Sequence, residues 1–337
     1  MRSRIFALLL ALPLAATGVA AQPAPQARPK LIVAISVDQF SADLFAQYRQ
    51  HFTGGLARLS RGIVFPSGYQ SHAATETCPG HSTILTGARP ARTGIIGNNW
   101  FDLGAERDDK YIYCSEDERI EGSSSDNYTV SPYHLRVPAL GDHMRRADPR
   151  SRTVAVAGKD RAAIMMGGHA PTERWWWGGR AFVSHAGATA PATVERVNAE
   201  VAQAPGAPPD ATPLAPLCEP PSRAVAVEGG GRPVGEGRFA RDAGNRNAFR
   251  ASPDFDRAVL ALASGLRDEL DLGEGEAADL LIVGLSATDY VGHSTGTQGA
   301  EMCLQLLAPD QALGRFFAEL DSTGIDYVVM LTADHGG

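Results

Sequence analysis

ADLLIVGLSATDYVGH, residues 278–293, holds the key to this chain. Between Asp279 and Ser286 every residue is apolar or glycine, with no polar alternation and too few positions for a helix. That is the pattern of a strand covered on both faces of a sheet. The strand runs directly into Asp289 and His293, which stand four apart and so fit on one side of a single turn. Open α/β sheets place ligands outside the carboxyl ends of their strands, so an acid and an imidazole at that point mark a candidate site.

Working outward, the same arrangement recurs. KLIVAISVD (30–38) is a strand ending in Asp38, and DYVVMLTAD (326–334) is one ending in Asp334, with His335 next; RTVAVAG (152–158) is a further strand. Between them lie helical patterns: ADLFAQYRQ (42–50), FDRAVLALASGLRDELDL (255–272) and PDQALGRFFAEL (309–320). The alternation predicts an α/β fold, a mostly parallel sheet flanked by helices. From about 162 to 251 the texture turns to Ala, Pro and Gly, with WWWGG at 175–179 and VEGGGRPVGEG at 227–237. That texture predicts an inserted cap region, its three tryptophans anchoring it to the body.

The N-terminus carries Arg2 and Arg4, an apolar run of about a dozen residues, and Val19 and Ala21 spaced as a cleavage site. A secretory signal over 1–21 is expected, then a Pro-rich spacer over 22–29. The run is short of the roughly 20 residues that span a bilayer, so no stable membrane anchor is expected. Loss of the signal leaves 29 basic against 38 acidic side chains and moves the formal charge from -7 to -9. Nucleic acid and anionic membrane are poor partners for that balance. In a chain of 337 residues with 44% hydrophobic content, a large core is affordable. Four cysteines in an exported chain allow two disulfides. Of the three pairings, Cys78 with Cys114 closes the shortest loop.

Three carboxylates (Asp38, Asp289, Asp334) and two imidazoles (His293, His335) thus converge at strand ends. Oxygen and nitrogen donors without thiolate suit zinc, with manganese or iron as alternatives. Such a centre needs a reacting group, and SHAATETCPGHSTILTG (71–87) offers Thr77, whose hydroxyl would lose its proton readily beside a metal cation and act as a nucleophile.

The ordered set SVDQF (36–40), TETCPGHST (75–83), GIIGNNWFD (94–102), GKDRAA (158–163), TDYVGH (288–293) and TADHGG (332–337) resembles the alkaline phosphatase superfamily. More narrowly it resembles the threonine-nucleophile branch that joins bacterial periplasmic alkaline phosphatases to nucleotide pyrophosphatases/phosphodiesterases. The resemblance implies one catalytic domain over 30–337, a periplasmic or secreted location, small phosphate monoesters as substrates, and two zinc ions. One ion would be held by Asp38, Thr77, Asp334 and His335, the other by Asp289, His293 and a further histidine. In the family that histidine lies well downstream of the Asp-His pair, and none of the nine histidines here follows His335. The chain is therefore expected to be the N-terminal part of a longer enzyme. His81 is expected to brace the nucleophile turn by hydrogen bonding.

The implied mechanism is two in-line displacements: Thr77 attacks phosphorus, then water hydrolyses the phosphothreonine. Asn98 and the Thr77 N–H would donate to a nonbridging oxygen. Lys159 and Arg161 would take the extra ionised oxygen that a monoester has and a diester lacks; in the family this pair marks the monoesterases. A nucleotide pyrophosphatase/phosphodiesterase is the nearest alternative, and an inactive fragment or non-catalytic metal-binding protein the one from another class. The sulfatase relatives are excluded, because Pro79 follows Cys78 directly and Ser82 stands where their motif needs Arg.

Overall fold

Side-chain alternation along four buried strands builds two cores, one on each face of the sheet, and a third cluster forms around the Cys78–Cys114 disulfide. The structure, a computed structural model, describes residues 28–66, 68–203, 214–227, 231–239 and 246–337. The expected signal and residues 22–27 of the spacer lie outside the described residues. Strand β1 (Leu31–Val37) leads through short helices α1 (Ala42–Tyr48) and α2 (Gly55–Leu59) to α3 (Thr77–Ile84) and α4 (Pro90–Thr93). A hairpin of β2 (Asn99–Phe101) and β3 (Tyr111–Tyr113) follows, then α5 (Leu140–Ala147), β4 (Thr153–Ala157), α6 (Asp160–Gly167), β5 (Glu173–Trp177), β6 (Phe182–Val183) and α7 (Ala192–Gln203). A second small hairpin, β7 (Val225–Val227) with β8 (Gly231–Val234), precedes α8 (Arg246–Arg250) and α9 (Pro253–Glu269). The chain ends through β9 (Asp279–Leu285), α10 (Ala287–Thr295), α11 (Ala300–Ser322) and β10 (Tyr327–Thr332).

The main sheet has the order β10-β1-β9-β4-β5-β6, parallel except for β6, which runs antiparallel to β5. Leu31, Val33, Ile35 and Val37 of β1, Val154 and Val156 of β4, and Leu281, Val283 and Leu285 of β9 face the core shared with α7, α9 and α11. The intervening Ala34, Ala155, Ala157, Leu280 and Ile282 face a second core with Ala162, Ala163 and Met166 of α6. The period of two assigns each residue to one face, and the alanines of the second core let α6 lie close. The expected parallel α/β architecture is the one observed.

Two expectations change. The tryptophans belong to no insert: they are β5, with Trp175 and Trp177 in the first core and Trp176 in the second. Residues 160–203 accordingly form α6, β5, β6 and α7 of the central body, with Ala162 and Ala163 packed closely against the sheet. Of the rest of the expected cap, residues 204–213, 228–230 and 240–245 lie outside the described residues. Helix α11 starts at Ala300, not Pro309, and carries that proline inside it. Packing of Met302, Cys303 and Leu306, with the Cys218–Cys303 disulfide, holds the added turns against the loss of one helical hydrogen bond. The next residue, Asp310, turns its buried carboxylate onto the N–H groups of Thr53, Gly54, Leu56 and Ala57 at 2.7–3.2 Å, capping α2 from across the fold. The favoured Cys78–Cys114 disulfide is also present.

In register, Ser36 pairs with Gly284 on one side and Thr332 on the other. The carboxyl ends of β9, β1 and β10 are therefore level. At the outer side of β10 the sheet has an edge, and Val328 and Met330 are 47% and 41% exposed.

Candidate active site

Level strand ends put Asp38, the start of α10 and the Asp334-His335 turn side by side. Asp38 and Asp334 are fully buried and Asp289 nearly so. Gln39, just past Asp38, adopts a positive φ of 64°, which is uncommon for a side-chain-bearing residue. Its N–H donates to Asp334 Oδ1 at 3.1 Å, as does that of His335 at 2.9 Å, so two adjoining chain ends share one carboxylate.

Thr77 enters from α3. The sequence there lets the helix come close: a Cβ on Gly80 would lie 2.2 Å from the Asp334 carbonyl oxygen, so only glycine fits. No side chain of Glu76, the residue preceding the helix, caps it, and Thr77 stands at its positive end. Cys78 N–H is taken by Asn98 Oδ1 at 2.8 Å. Glu76 Oε2 accepts the Asn98 N–H at 2.8 Å and pins the loop. His81 places Nδ1 2.9 Å from the Thr77 carbonyl oxygen and 3.0 Å from Asp334 Oδ2.

Thr77 Oγ1 lies 3.4 Å from His335 Nε2 and 3.5 Å from Lys159 Nζ. That ammonium, on the residue just ahead of α6, sits 2.6 Å from Asp38 Oδ2 and 2.5 Å from Asp289 Oδ2. His335 Nε2 lies 3.3 Å from Asp38 Oδ1. Burial alone would discharge such bases, but Asp38 and Asp334 outweigh it at His335, whose pKa is pushed up to about 9. At Lys159 burial is likewise outweighed by Asp38 and Asp289, and the pKa rises. Asp334 is opposed by burial, yet His81, His335 and Lys159 hold its carboxyl well below the usual range. Each shift has one origin, a buried excess of carboxylate that attracts cations.

Those carboxylates are short of partners. Both oxygens of Asp38, Oδ1 of Asp289 and Oδ2 of Asp334 are buried without a well-directed hydrogen bond, although charge pairs them with Lys159 and the imidazoles. An under-bonded buried carboxylate is costly unless a cation meets it. Donor atoms of Asp38, Asp289 and His335 fall within 4.8 Å of one another, as do those of Asp38, His81 and Asp334. The residues therefore fit a divalent ion, with Lys159 supplying positive charge between Asp38 and Asp289.

The structure thus brings together Asp38, Thr77, Lys159, Asp289, Asp334 and His335. His293 stands at the rim: its Nε2 is 3.3 Å from Asp289 Oδ1, but its side chain is 71% exposed. Arg161 is turned to Tyr113 OH at 3.3 Å. Sequence reasoning missed Asp256 of α9, whose Oδ1 accepts the N–H groups of Ser286 and Ala287 at 2.9 and 3.0 Å and so fixes the start of α10. Its signal was an acid beside the apolar stripe Phe255, Val259, Leu262. It also missed Gln39 and Tyr113, which carry no comparable signal.

The profile of the "Type I phosphodiesterase / nucleotide pyrophosphatase" family matches residues 32–337. The chain is 57% identical to alkaline phosphatase PhoK of Sphingomonas sp over 324 residues, which are 96% of this chain and 57% of that protein. It is 50% identical to alkaline phosphatase PhoD of Zymomonas mobilis over 317 residues, 93% of this chain and 54% of the relative. The crystal structure of alkaline phosphatase PafA superposes with a TM-score of 0.80 at 28% identity, covering 94% of this chain and 64% of the other. The chain thus spans little more than half the length of PhoK and PhoD. With the match running almost from the first strand to the last residue, this chain belongs to the type I phosphodiesterase/nucleotide pyrophosphatase family.

Proposed function

We propose that this chain carries the reacting residues of a metal-dependent phosphate monoester hydrolase, with Thr77 as the nucleophile. One observation carries the reading: a threonine hydroxyl at a helix N-terminus, within 3.5 Å of both a buried lysine and His335, beside three buried carboxylates. Relatives named as alkaline phosphatases support it.

Asp38, Asp334, His335 and Thr77 would hold one divalent ion, with zinc the ion their chemistry favours, and Asp289 with His293 would begin a second site. Bound there, such ions neutralise phosphoryl charge and make a hydroxyl easier to deprotonate. Thr77 Oγ1 forms a bond to phosphorus as the ester P–O bond breaks, and water then cleaves the phosphothreonine. The Thr77 N–H and the Asn98 NH₂ group would donate to a phosphoryl oxygen. Lys159 and Arg161 add the positive charge that a dianionic monoester rewards. An exported location agrees with the leader pattern and with two disulfides, Cys78–Cys114 and Cys218–Cys303.

The family's description also favours a second reading, a diesterase. The same experiment separates them: with zinc, the full-length enzyme should turn over an aryl phosphate faster than the matching diester. A phosphorylated peptide should map to residues 75–83. Thr77→Ala should lower turnover by at least ~10⁴-fold, as loss of a nucleophile does. A phosphopeptide from elsewhere, or full turnover without Thr77, would overturn the reading, and a preference for the diester would select the alternative.

A further inference from the structure

Arg161 faces a choice of partners that the fold settles in an unexpected way. Its own neighbour Asp160 is an acid, yet among the described residues Arg161 makes no ion pair within 4.0 Å. A tyrosine is interposed. Tyr113 OH donates to Asp160 Oδ1 at 2.6 Å, leaving its lone pairs to accept Arg161 NH1 at 3.3 Å. Asp160 is saturated from other sides, by Tyr128 OH at 3.3 Å and by the Arg161 backbone N–H at 2.7 Å. The guanidinium is therefore oriented through Tyr113 and not by direct pairing with a carboxylate, and its Nε is buried with no hydrogen-bond partner. It stands within electrostatic range of Asp38 and Lys159, two residues of the site.

Tyr113 is itself fixed to the nucleophile. In the β2–β3 hairpin Asn99 pairs with Tyr113, Cys114 N–H donates to the Asn98 carbonyl oxygen at 3.0 Å, and Cys114 is bonded to Cys78, next to Thr77. One stitched hairpin holds both the Asn98 amide and the tyrosine that aims Arg161.

We propose that Tyr113 is a positioning residue that holds Arg161 toward the substrate phosphoryl group and thereby sets the preference for monoesters over diesters. The proposal rests on the phosphatase reading above. An arginine left free in a pocket must give up rotamer freedom on each binding event, whereas one already held by Tyr113 does not. The benefit falls on substrates with the extra ionised oxygen that Arg161 would meet.

Tyr113→Phe in the full-length zinc enzyme tests it. The ring is kept against Tyr128, whose centroid is 4.8 Å away, so the hairpin packing survives and thermal unfolding verifies this. Expected is a fall of about tenfold in monoester kcat/KM, the effect of one hydrogen bond to a charged group. Diester kcat/KM should stay within about twofold, and in an Arg161→Ala background Tyr113→Phe should cost nothing more. Calorimetric binding of inorganic phosphate reads the same contact without turnover and should weaken about tenfold, again only when Arg161 is present. Equal losses on both esters, no loss, or losses that add to those of Arg161→Ala would overturn the proposal. If the unsubstituted enzyme turns over no monoester, the phosphatase reading fails, and the phosphate-binding cycle alone decides whether Tyr113 aims Arg161.

Discussion

The two halves of the site are built by different means. On one side Asp38, Asp334 and His335 have side chains 1%, 0% and 8% exposed, gathered from chain segments nearly 300 residues apart. Adjacent parallel strands, shared N–H donors on Asp334 and the close approach at Gly80 determine that cluster several times over. On the other side Asp289 and His293 come from one turn of α10, and His293 is 71% exposed. Helical spacing accounts for that pair, and among the described residues no third histidine or carboxylate stands on the open side of His293. The first half is preorganised by the fold; the second rests on one helical turn.

Metal binding is the direct way to break this comparison. On the proposed assignment, residues 22–337 should hold one zinc ion tightly and a second weakly, because water completes the sphere of a two-ligand Asp289-His293 site only at a large loss of affinity. Asp334→Asn should weaken the tight ion by well over the roughly 10–100-fold typical of losing an outer partner. His293→Ala should leave the tight ion unchanged and abolish the weak one. Titration of zinc against a chelating dye, beside elemental analysis, distinguishes the two. Two equally tight ions, or a tight ion lost in His293→Ala, would show that the halves are not unequal.

Lys159 stands between the halves, 2.6 Å from Asp38 and 2.5 Å from Asp289. Its removal together with Arg161 should therefore be felt in substrate discrimination. Replacing both by Ala should lower monoester kcat/KM by about 10²-fold or more, given two charged hydrogen-bond donors, while diester turnover falls far less. Equal losses would mean that the pair serves the carboxylates alone and not the substrate.

What was legible beforehand follows the same division of cause. Strands β1 and β9 could be read because buried parallel strands are continuous apolar runs, the edge strand β10 because it too is an apolar run, and their ends named Asp38, Asp289 and Asp334 directly. Local spacing gave the Asp289-His293 pair. Thr77 was named as the hydroxyl that a metal centre would need and Lys159 through the resemblance, but nothing in a lone Thr or Lys shows that α3 and α6 will meet at the same strand ends. Tryptophans 175–177 were misplaced because a short strand near a sheet edge, followed by Gly178 and Gly179, has neither length nor alternation to announce it. Tyr113 and Asp256 act through partners 47 and 30 residues away in sequence. No local pattern encodes such pairings.

Asp256 offers the finest test of the weaker half, because it is what fixes the start of α10. It is 1% exposed, and burial pushes its pKa up to about 7, against the N–H groups of Ala287 and Ser286, which pull it down. A carboxyl raised from 3.8 to about 7 binds its proton more tightly in the folded chain. Its contribution to stability is thus fully present below pH ~4, is lost progressively as pH rises to about 7, and is level beyond. Asp256→Asn keeps an oxygen for both N–H groups but cannot ionise. The difference in unfolding midpoint between Asp256→Asn and the unsubstituted chain, both stripped of metal, should therefore grow in favour of the variant from pH 4 to 7 and then stay flat. A few degrees would be expected, on the order of a kcal/mol or more in a domain of this size. A difference that does not change across pH 4–8 would show that Asp256 is already ionised in the fold, and that α10 is anchored by a charge after all.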